Sequence, residues 1–225
     1  MDPHGSIRAV ILDLDGTLID TASEIVDAMD RTLDELALPH VPAREIEAMI
    51  GRGVRTLTQR VLDRLGAAGG IDLDAAVRKF EAHYAQTVAT RAALFPRVME
   101  GLERFHEAGI KLAVVTNKPR FFTEQLLGRA GIARFFSAVV AGDDGIRRKP
   151  HGDMLTAACQ AMGTAPARTL MLGDSGNDVE AARAAGCPVW CVPYGYNEGR
   201  SPDTLACDRL VATVDEAALL LTPAR

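Results

Sequence analysis

Two aspartates placed two residues apart follow a short apolar run near the start of the sequence. Residues 9–12 read Ala, Val, Ile and Leu, which is typical of a buried strand, and Asp13 and Asp15 come directly after them, before Gly16 and Thr17. Side chains at this spacing on a strand end project to one side, so the two carboxylates repel each other unless a cation, a shared proton or solvent relieves the charge. A divalent metal ion fits that need. Because Asp and Gly are also common in turns, this pair alone does not separate a metal site from a solvated turn.

A hydroxyl and an amide take the corresponding place after a second apolar run. That run lies at about residues 111–116 and ends with Thr116, which Asn117 follows. Together with the free N–H groups at the start of a following helix, these two side chains could hold phosphate oxygens. Thr and Asn are also good helix N-caps, and the two roles are compatible.

A lysine follows a third run, at about residues 137–141. It closes the basic triplet Arg147, Arg148 and Lys149. We expect Arg147 and Arg148 to be solvated, because basic side chains in a run are mostly exposed. Lys149 is the exception, since a fixed ammonium group would neutralise a cluster of carboxylates and phosphate.

The fourth run, at about residues 168–173, leads into Asp174, Ser175 and Asp178. We expect Asp174 to leave the sheet at the same edge as the first two aspartates, and Asp178 to lie at the start of the next helix. Either aspartate could be a simple helix cap. Four strand ends that each carry a group suited to metal or phosphate nevertheless favour one shared site over four unrelated turns.

Parallel strands would bring these residues together, and the sequence alternates strands with helices. Strand-like runs lie at about residues 7–13, 111–116, 137–141, 168–173 and 188–192. Several of the helical patterns between them end in a glycine, as helix C-caps prefer, at Gly109, Gly131, Gly163 and Gly186. This alternation predicts an α/β fold with a doubly wound, Rossmann-like parallel sheet covered on both faces. Sites in such sheets lie at the carboxyl ends of the strands.

The first two strands are separated by about a hundred residues, which is too long for an ordinary crossover connection. Helical patterns fill that stretch, at residues 23–36, 45–50, 54–65 and 73–90. We therefore predict an inserted small α-helical cap domain at residues 20–92. The α/β core domain would consist of residues 1–19 and 93–225, with hinges near residues 18–21 and 94–96.

The composition limits the classes of function. The 225 residues are 48% hydrophobic, which is enough for a core, and the net charge of −5 argues against nucleic acid or an anionic membrane as a partner. Residues 1–6 lack the apolar core of a secretory signal and no apolar stretch could span a bilayer, so we predict a cytoplasmic protein. The four cysteines and five histidines lack metal-ligand spacing, which predicts reduced thiols. Monomer and homodimer both stay open.

Together, these motifs resemble the four motifs of the haloacid dehalogenase superfamily. They are Asp13-x-Asp15-Gly16-Thr17, Thr116-Asn117, Lys149-Pro150 and Gly173-Asp174-x-x-x-Asp178. Their order and spacing match over essentially the whole chain, and the helical insert is similar to that of the small-cap subgroup. Residues 94–96, 116–119 and 194–197 resemble the members that hydrolyse 2-phosphoglycolate.

The resemblance implies a Mg²⁺-dependent phosphomonoester hydrolase, a phosphatase that works through an aspartyl-phosphate intermediate on a small phosphorylated metabolite. Asp13 would attack phosphorus, and Asp15 would protonate the leaving alcohol and then activate the hydrolytic water. The carboxylates of Asp13 and Asp174 and the backbone carbonyl of Asp15 would hold Mg²⁺. The resemblance assigns phosphate binding to Thr116, Asn117 and Lys149. It assigns support of the metal ligands to Asp178 and Ser175.

The cap would determine substrate specificity, because the core groups contact only the phosphoryl end. Arg52 and Arg55 lie in a glycine-containing loop between cap helices that resembles the specificity loop of small-cap phosphatases. A guanidinium group pairs well with a carboxylate, so we predict that Arg52 or Arg55 contacts the substrate carboxylate. An interhelix turn with exposed charges is an equally simple interpretation.

Other activities stay open at this point. Phosphomutases similar to β-phosphoglucomutase share every core motif and differ in how the cap excludes water. A receiver-type signalling domain also combines acidic residues, a Thr and a Lys-Pro around Mg²⁺, although the cap and the spacing of Asp13 and Asp15 argue against it. The substrate could also be another small phosphorylated acid or a sugar phosphate.

Overall fold

Six parallel strands form the central sheet of the computed structural model, which describes residues 7–222. The strands within this range are β1 Ala9–Leu12, β2 Ile19–Asp20, β3 Ala93–Leu94, β4 Lys111–Val115, β5 Ala138–Val140, β6 Thr169–Gly173, β7 Val189–Cys191 and β8 Arg209–Leu210. In the six-stranded sheet the order is β5, β4, β1, β6, β7, β8, and every neighbouring pair is parallel. Because β1 lies between β4 and β6, the strands that precede Asp13, Thr116 and Asp174 are neighbours.

Helices cover both faces of this sheet. The helices of the described residues are α1 Ala22–Glu35, α2 Ala43–Glu47, α3 Val54–Arg64, α4 Leu73–Thr87, α5 Val98–Glu107, α6 Arg120–Arg129, α7 Asp153–Met162, α8 Gly176–Ala185 and α9 Val214–Leu221, and those from α5 onward belong to the part of the chain that forms the sheet. Alternate residues of β1 face opposite layers, as the strand period requires. Val10 and Leu12 belong to the apolar cluster that includes α5 and α9, whereas Ala9 and Ile11 belong to the cluster that includes α7 and α8. The predicted doubly wound α/β fold is confirmed.

The five strands predicted from apolar runs are all present, but sequence reasoning missed β8 and α9. Arg209 and Leu210 of β8 are both exposed, so no apolar run marks this strand. The start of α9 does carry a local signal, because the Thr213 hydroxyl accepts a hydrogen bond from the backbone N–H of Glu216 at 3.1 Å. The four glycines predicted to end helices have φ values between +64° and +76°.

Helices α1 to α4 form a helical segment between β2 and β3 that has its own apolar core. Met29, Leu33, Val61 and Phe80 are almost fully buried there. Strands β2 and β3 pair antiparallel, so the chain enters and leaves the helical segment at adjacent positions. Helices therefore occur where the sequence patterns place them, and the division into a cap at residues 20–92 and a core stays a prediction.

A buried carboxylate ties the two ends of the helical segment together. Glu24 of α1 has no exposed surface. Its oxygens accept hydrogen bonds from the backbone N–H groups of Ala89, Arg91 and Ala92 at 3.0, 2.6 and 2.9 Å. Three amide donors satisfy a charge that would otherwise be costly to bury. The sequence gives no signal for this contact, because a glutamate in a helical pattern is normally solvated.

Other expectations concern membranes and thiols. Within residues 7–222, every helix is too short or too polar to cross a bilayer. The four cysteines are free, and Cys159, Cys187 and Cys191 are buried, as expected of reduced structural thiols. The expectation that residues 1–6 carry no secretory signal falls outside the described residues.

Candidate active site

Three adjacent strands deliver polar residues to one edge of the sheet. Strands β4, β1 and β6 are parallel and in register, so the residues that follow them leave the sheet at the same edge. The residues directly after these strands are Thr116, Asp13 and Asp174. They are 1%, 6% and 3% exposed, respectively. Buried polar groups at the carboxyl edge of a parallel sheet mark the usual place of a binding site in this kind of fold.

Asp13 has one oxygen held by the protein and one oxygen free of protein donors. Its Oδ1 accepts hydrogen bonds from the backbone N–H of Leu14 at 2.7 Å and from Lys149 Nζ at 2.8 Å. Within residues 7–222, no donor is found for Oδ2. Burial raises the pKa of Asp13 well above its usual value, and the nearby charge of Lys149 only partly opposes this. Asp13 is therefore a fixed carboxylate with one oxygen available for chemistry.

Lys149 is a buried cation with three acceptors around its ammonium group. Nζ contacts Asp13 Oδ1 at 2.8 Å, Asp178 Oδ1 at 2.7 Å and the backbone carbonyl of Val115 at 3.0 Å. Burial alone lowers the pKa of Lys149, but the charges of Asp13 and Asp178 outweigh burial and raise it above its usual value. The ammonium therefore stays charged at neutral pH and cannot swing away from the carboxylates.

Asp174 is held by three donors from two separate parts of the chain. Its Oδ1 accepts a hydrogen bond from the Thr17 hydroxyl at 2.9 Å, and its Oδ2 accepts from the backbone N–H groups of Tyr196 at 2.8 Å and Asn197 at 3.4 Å. Burial and the negative charge of Asp178 raise the pKa of Asp174 to about 7, in spite of these hydrogen bonds. A cation beside this carboxylate would favour its ionised form.

Two glycines allow the backbone to approach Asp174. Gly16 has a φ of +86°, and a Cβ added there would lie 2.6 Å from Asp174 Oδ2. A Cβ on Gly195 would lie 2.2 Å from the Cβ of Asp174. A side chain at either position would therefore displace the carboxylate. The turn chemistry of Gly16 was visible in the sequence. Gly195 was part of the stretch 194–197 that carries the resemblance, but its contact with Asp174 was not predicted.

Asp13, Asp174 and Asp178 form a group that could hold a metal ion. One carboxylate oxygen from each lies within 4.8 Å of the others, and all three residues are buried. Asp178 is already committed within the protein, because its Oδ1 contacts Lys149 and its Oδ2 accepts from the backbone N–H groups of Asp174 and Ser175 and from the Ser175 hydroxyl. The donor set is all oxygen, which suits a hard divalent cation. The residues present therefore fit a magnesium site with Asp178 and Ser175 behind it.

Asp15 lies beside this group and has different partners. Its Oδ1 accepts a hydrogen bond from the Thr21 hydroxyl at 2.5 Å and contacts Lys118 Nζ at 3.0 Å. Lys118 is 6% exposed and also donates to the Tyr84 hydroxyl at 3.1 Å. Burial alone lowers the pKa of Lys118, but Asp15 and Tyr84 raise it above its usual value. Sequence analysis included Lys118 in the stretch 116–119 that carries the resemblance, but it gave this lysine no role of its own.

The phosphate-binding candidates Thr116 and Asn117 contact the rest of the site through hydrogen bonds. The Thr116 hydroxyl accepts from the backbone N–H of Lys118 at 3.1 Å. The Asn117 side-chain amide donates to the carbonyls of Lys149 and Gly51, each at 3.0 Å. Because Gly51 belongs to the helical segment, Asn117 joins the sheet edge to the loop between α2 and α3.

A cavity lies between the helical segment and this edge of the sheet. Its polar end is formed by the strand-end residues Asp13, Asp15, Thr116, Asn117 and Lys118. Apolar side chains of the helical segment, among them Ile50, Leu57 and Phe80, form the opposite wall. The lining therefore suits a molecule that has one strongly polar end and one less polar end.

Neither of the loop arginines predicted to contact substrate lines this cavity. Arg52 forms hydrogen bonds to both carboxylate oxygens of Glu198, at 2.7 and 3.2 Å. Arg55 pairs with Asp74 on the exposed side of the helical segment. The structure thus brings together the candidate residues at the strand ends and places Arg52 and Arg55 outside the cavity lining.

Glu198 joins the helical segment to the core. Its carboxylate accepts hydrogen bonds from Arg52 and Arg60 of the helical segment and from Arg200 of the core. Burial alone raises the pKa of Glu198, but the three arginines outweigh burial and lower it to about 2. The ionised carboxylate therefore stabilises contact between the two parts of the molecule.

Replacing Glu198 by Gln is expected to weaken the folded protein in a pH-dependent way. Because the folded-state pKa lies below the usual value of 4.5, the carboxylate stabilises the fold above pH 4.5, and this contribution is lost as the pH falls toward 2. We expect Glu198→Gln to lower the free energy of unfolding by about 1 kcal/mol at pH 7. Urea unfolding at pH 7, 4.5 and 3 measures the difference, with the exposed Glu103→Gln as a control. An equal loss at pH 7 and pH 3 would contradict the expectation.

The fold and the groups at the sheet edge together indicate a class of protein. Buried carboxylates, a fixed lysine and a hydroxyl meet at the carboxyl edge of a parallel sheet, which is the arrangement of an enzyme with a Rossmann-like core. The family model for haloacid dehalogenase-like hydrolases matches residues 7–186. The chain belongs to this family, as its four motifs indicated.

Similar proteins agree with this membership. Phosphoglycolate phosphatase of Thiobacillus denitrificans is 41% identical, over 97% of this chain and 97% of its own length. The crystal structure of a predicted phosphoglycolate phosphatase from Haemophilus somnus has a TM-score of 0.90 at 28% identity and covers 96% of this chain and 98% of that chain. CbbY from Rhodobacter sphaeroides, solved in complex with phosphate, has a TM-score of 0.80 at 26% identity, with 95% and 99% coverage.

Proposed function

We propose that this protein is a Mg²⁺-dependent phosphatase that hydrolyses 2-phosphoglycolate through an aspartyl-phosphate. The observation that carries the proposal is the state of Asp13, which has Oδ1 fixed by Lys149 and Leu14 while Oδ2 has no donor within residues 7–222. A nucleophile needs such a free oxygen at a fixed position. Asp13 also lines the cavity that would hold the substrate.

The metal site follows from the same group of carboxylates. The carboxylates of Asp13 and Asp174 and the backbone carbonyl of Asp15 are proposed to hold Mg²⁺, and Asp178 and Ser175 fix the position of Asp174. When bound, the ion supplies positive charge next to the phosphoryl oxygens and offsets the repulsion among the buried carboxylates. The raised pKa values of Asp13 and Asp174 support this assignment, since both carboxylates lack sufficient positive charge from the protein alone.

The protein groups divide the reaction into two displacements. In the first, Asp13 Oδ2 attacks phosphorus while Asp15 donates a proton to the leaving ester oxygen. In the second, Asp15 takes a proton from water, which attacks the aspartyl-phosphate and releases inorganic phosphate. The Thr116 hydroxyl and the backbone amide of Asn117 hold the phosphoryl oxygens. The three N–H groups of Lys149 already have acceptors, so its ammonium acts on the phosphoryl group through its fixed positive charge. Positioning and charge supply most of the rate increase.

The substrate assignment rests on the relatives and on the shape of the cavity. Curated relatives that match nearly the whole chain are named phosphoglycolate phosphatase. A cavity with one polar end and one apolar wall suits a small phosphorylated acid. Residues 20–92 are proposed to act as a cap domain that covers this cavity, with hinges near residues 18–21 and 94–96. A cytoplasmic location and the absence of nucleic acid as a partner belong to the same proposal.

Phosphate release from a panel of monoesters tests this function. We expect 2-phosphoglycolate to have the largest kcat/KM in the presence of Mg²⁺, and a chelator to lower the rate by at least about 10³-fold because several kcal/mol of charge stabilisation are lost. Added Mg²⁺ should restore the rate. A flat profile over the panel would contradict the substrate assignment. A glucose phosphate that isomerises without releasing phosphate would instead identify a phosphomutase.

A further inference from the structure

Lys118 differs from the other charged residues of the cavity because the four motifs give it no role. Among the described residues that line the cavity, it is the only cation. Its ammonium lies between the sheet and the helical segment, with Asp15 on one side and Tyr84 of α4 on the other. It is also placed over the Tyr84 ring, 4.7 Å from the ring centre. A lysine held in this way is a fixed positive charge at the boundary of the polar and apolar parts of the cavity.

Two hydrogen-bond donors stay available at this position. A lysine ammonium has three N–H donors, and the acceptors found around Lys118 Nζ are Asp15 Oδ1 at 3.0 Å and Tyr84 Oη at 3.1 Å. Burial raises the pKa of Tyr84 to about 12, so the phenol keeps its proton at neutral pH. Because its oxygen accepts from Lys118, the Tyr84 O–H group can donate to a further acceptor. One N–H of Lys118 and the O–H of Tyr84 therefore remain for a ligand.

The position of Asp15 indicates which part of the substrate lies next to Lys118. The proposed general acid must lie within hydrogen-bond reach of the leaving ester oxygen. Lys118 lies 3.0 Å from Asp15, so its ammonium is next to whatever the ester oxygen carries. In 2-phosphoglycolate the ester oxygen carries one methylene and then a carboxylate. We infer that the Lys118 ammonium and the Tyr84 hydroxyl bind the substrate carboxylate, and this inference rests on the proposed function.

This assignment differs from the one predicted for the loop arginines. Both carboxylate oxygens of Glu198 already accept hydrogen bonds from Arg52, whose side chain is outside the cavity lining. Lys118 is within the lining and 6% exposed, so its charge acts in a poorly hydrated space where pairing with a carboxylate is strong. Because Tyr84 comes from the helical segment, a bound carboxylate would contact both sides of the cavity at once.

The test compares two substrates that differ only at the carboxylate. In 2-hydroxyethyl phosphate an uncharged hydroxymethyl group replaces the carboxylate, and the ester end is unchanged. We expect Lys118→Met to lower kcat/KM for 2-phosphoglycolate at least about 100-fold more than for 2-hydroxyethyl phosphate, because a buried charge loses its partner. Tyr84→Phe should change the same ratio by about 10-fold, since one hydrogen bond to a charged group is lost. Lys118→Arg should restore part of the preference.

The controls separate the possible results. Lys79→Met removes a lysine that pairs with Glu35 on the surface of the helical segment, and the substrate ratio should not change. Equal losses on both substrates in Lys118→Met would mean that Lys118 acts only through Asp15, and the inference would be overturned. A larger change of the ratio in Arg52→Met than in Lys118→Met would also overturn it. If the wild-type protein does not prefer 2-phosphoglycolate at all, the proposed function itself has failed.

Binding measurements give a second readout that does not need turnover. In the Asp13→Asn background, isothermal titration of 2-phosphoglycolate should show a dissociation constant at least about 100-fold weaker when Lys118→Met is added. The same change should alter binding of 2-hydroxyethyl phosphate much less. If Lys118→Met weakens the binding of both ligands equally, the result contradicts carboxylate binding by Lys118. This readout does not depend on activity, which the Asp13→Asn background lacks.

Discussion

Asp13→Asn is expected to abolish phosphate release, with a loss of at least about 10⁴-fold in kcat. An amide oxygen carries no negative charge and cannot form the aspartyl-phosphate. The substitution keeps the shape of the side chain, so the backbone N–H of Leu14 and the Lys149 ammonium still have an acceptor. Steady-state phosphate release, with acid-quenched samples examined by peptide mass spectrometry, measures both the rate and the phosphorylated residue.

The stability of the same variant shows whether the loss is chemical. Asp13, Asp174 and Asp178 lie close together, and burial raises the pKa of Asp13 well above its usual value, so its ionised form is costly in the absence of metal. We expect the free energy of unfolding of Asp13→Asn, measured with chelator present, to rise or to stay within about 1 kcal/mol of the wild type. The exposed Asp63→Asn is the matched control and should keep full activity. Activity above 1% of wild type in folded Asp13→Asn would place the nucleophile elsewhere.

Local patterns explain why the sheet edge could be predicted from the sequence. An apolar run followed by a polar residue is visible within a few positions, and the geometry of parallel strands then places Asp13, Thr116 and Asp174 at one edge. The same reasoning predicted the helical insert, because a parallel crossover does not need a hundred residues. The short strand β8 gave no such pattern, since its two residues are exposed and pair only with β7.

The parts of the site that could not be predicted depend on contacts between distant residues. Tyr84 and Lys118 are 34 residues apart and meet because the Tyr84 side chain of α4 reaches the residues that follow β4. Gly195 and the backbone N–H of Tyr196 approach Asp174 from a loop near the other end of the chain. Such contacts depend on how the helical segment and the loops pack, which no local periodicity encodes. For the same reason, the pairing of Arg52 with Glu198 was invisible in the sequence.

The second large effect is expected for Asp15→Asn, and it depends on the leaving group. Asp15 is proposed to protonate the leaving alcohol and later to activate water, and removal of a general acid and base typically costs about 10²–10⁴-fold. The loss should therefore be about 10³-fold for 2-phosphoglycolate. With 4-nitrophenyl phosphate, whose leaving group needs no proton, the first displacement should remain fast and only the second should be slow. A rapid-mixing experiment should then show a burst of nitrophenol equal to the enzyme concentration, followed by slow turnover.

Thr21→Val tests how much the orientation of the Asp15 carboxylate contributes, because it leaves the carboxylate itself in place. The Thr21 hydroxyl donates to Asp15 Oδ1 at 2.5 Å, so this variant loosens the carboxylate and leaves its acid–base chemistry in place. We expect a loss of about 10-fold, corresponding to one hydrogen bond to a charged group, and no burst with 4-nitrophenyl phosphate. If Asp15→Asn slows both substrates equally and no phosphorylated enzyme accumulates, Asp15 is not the proton donor.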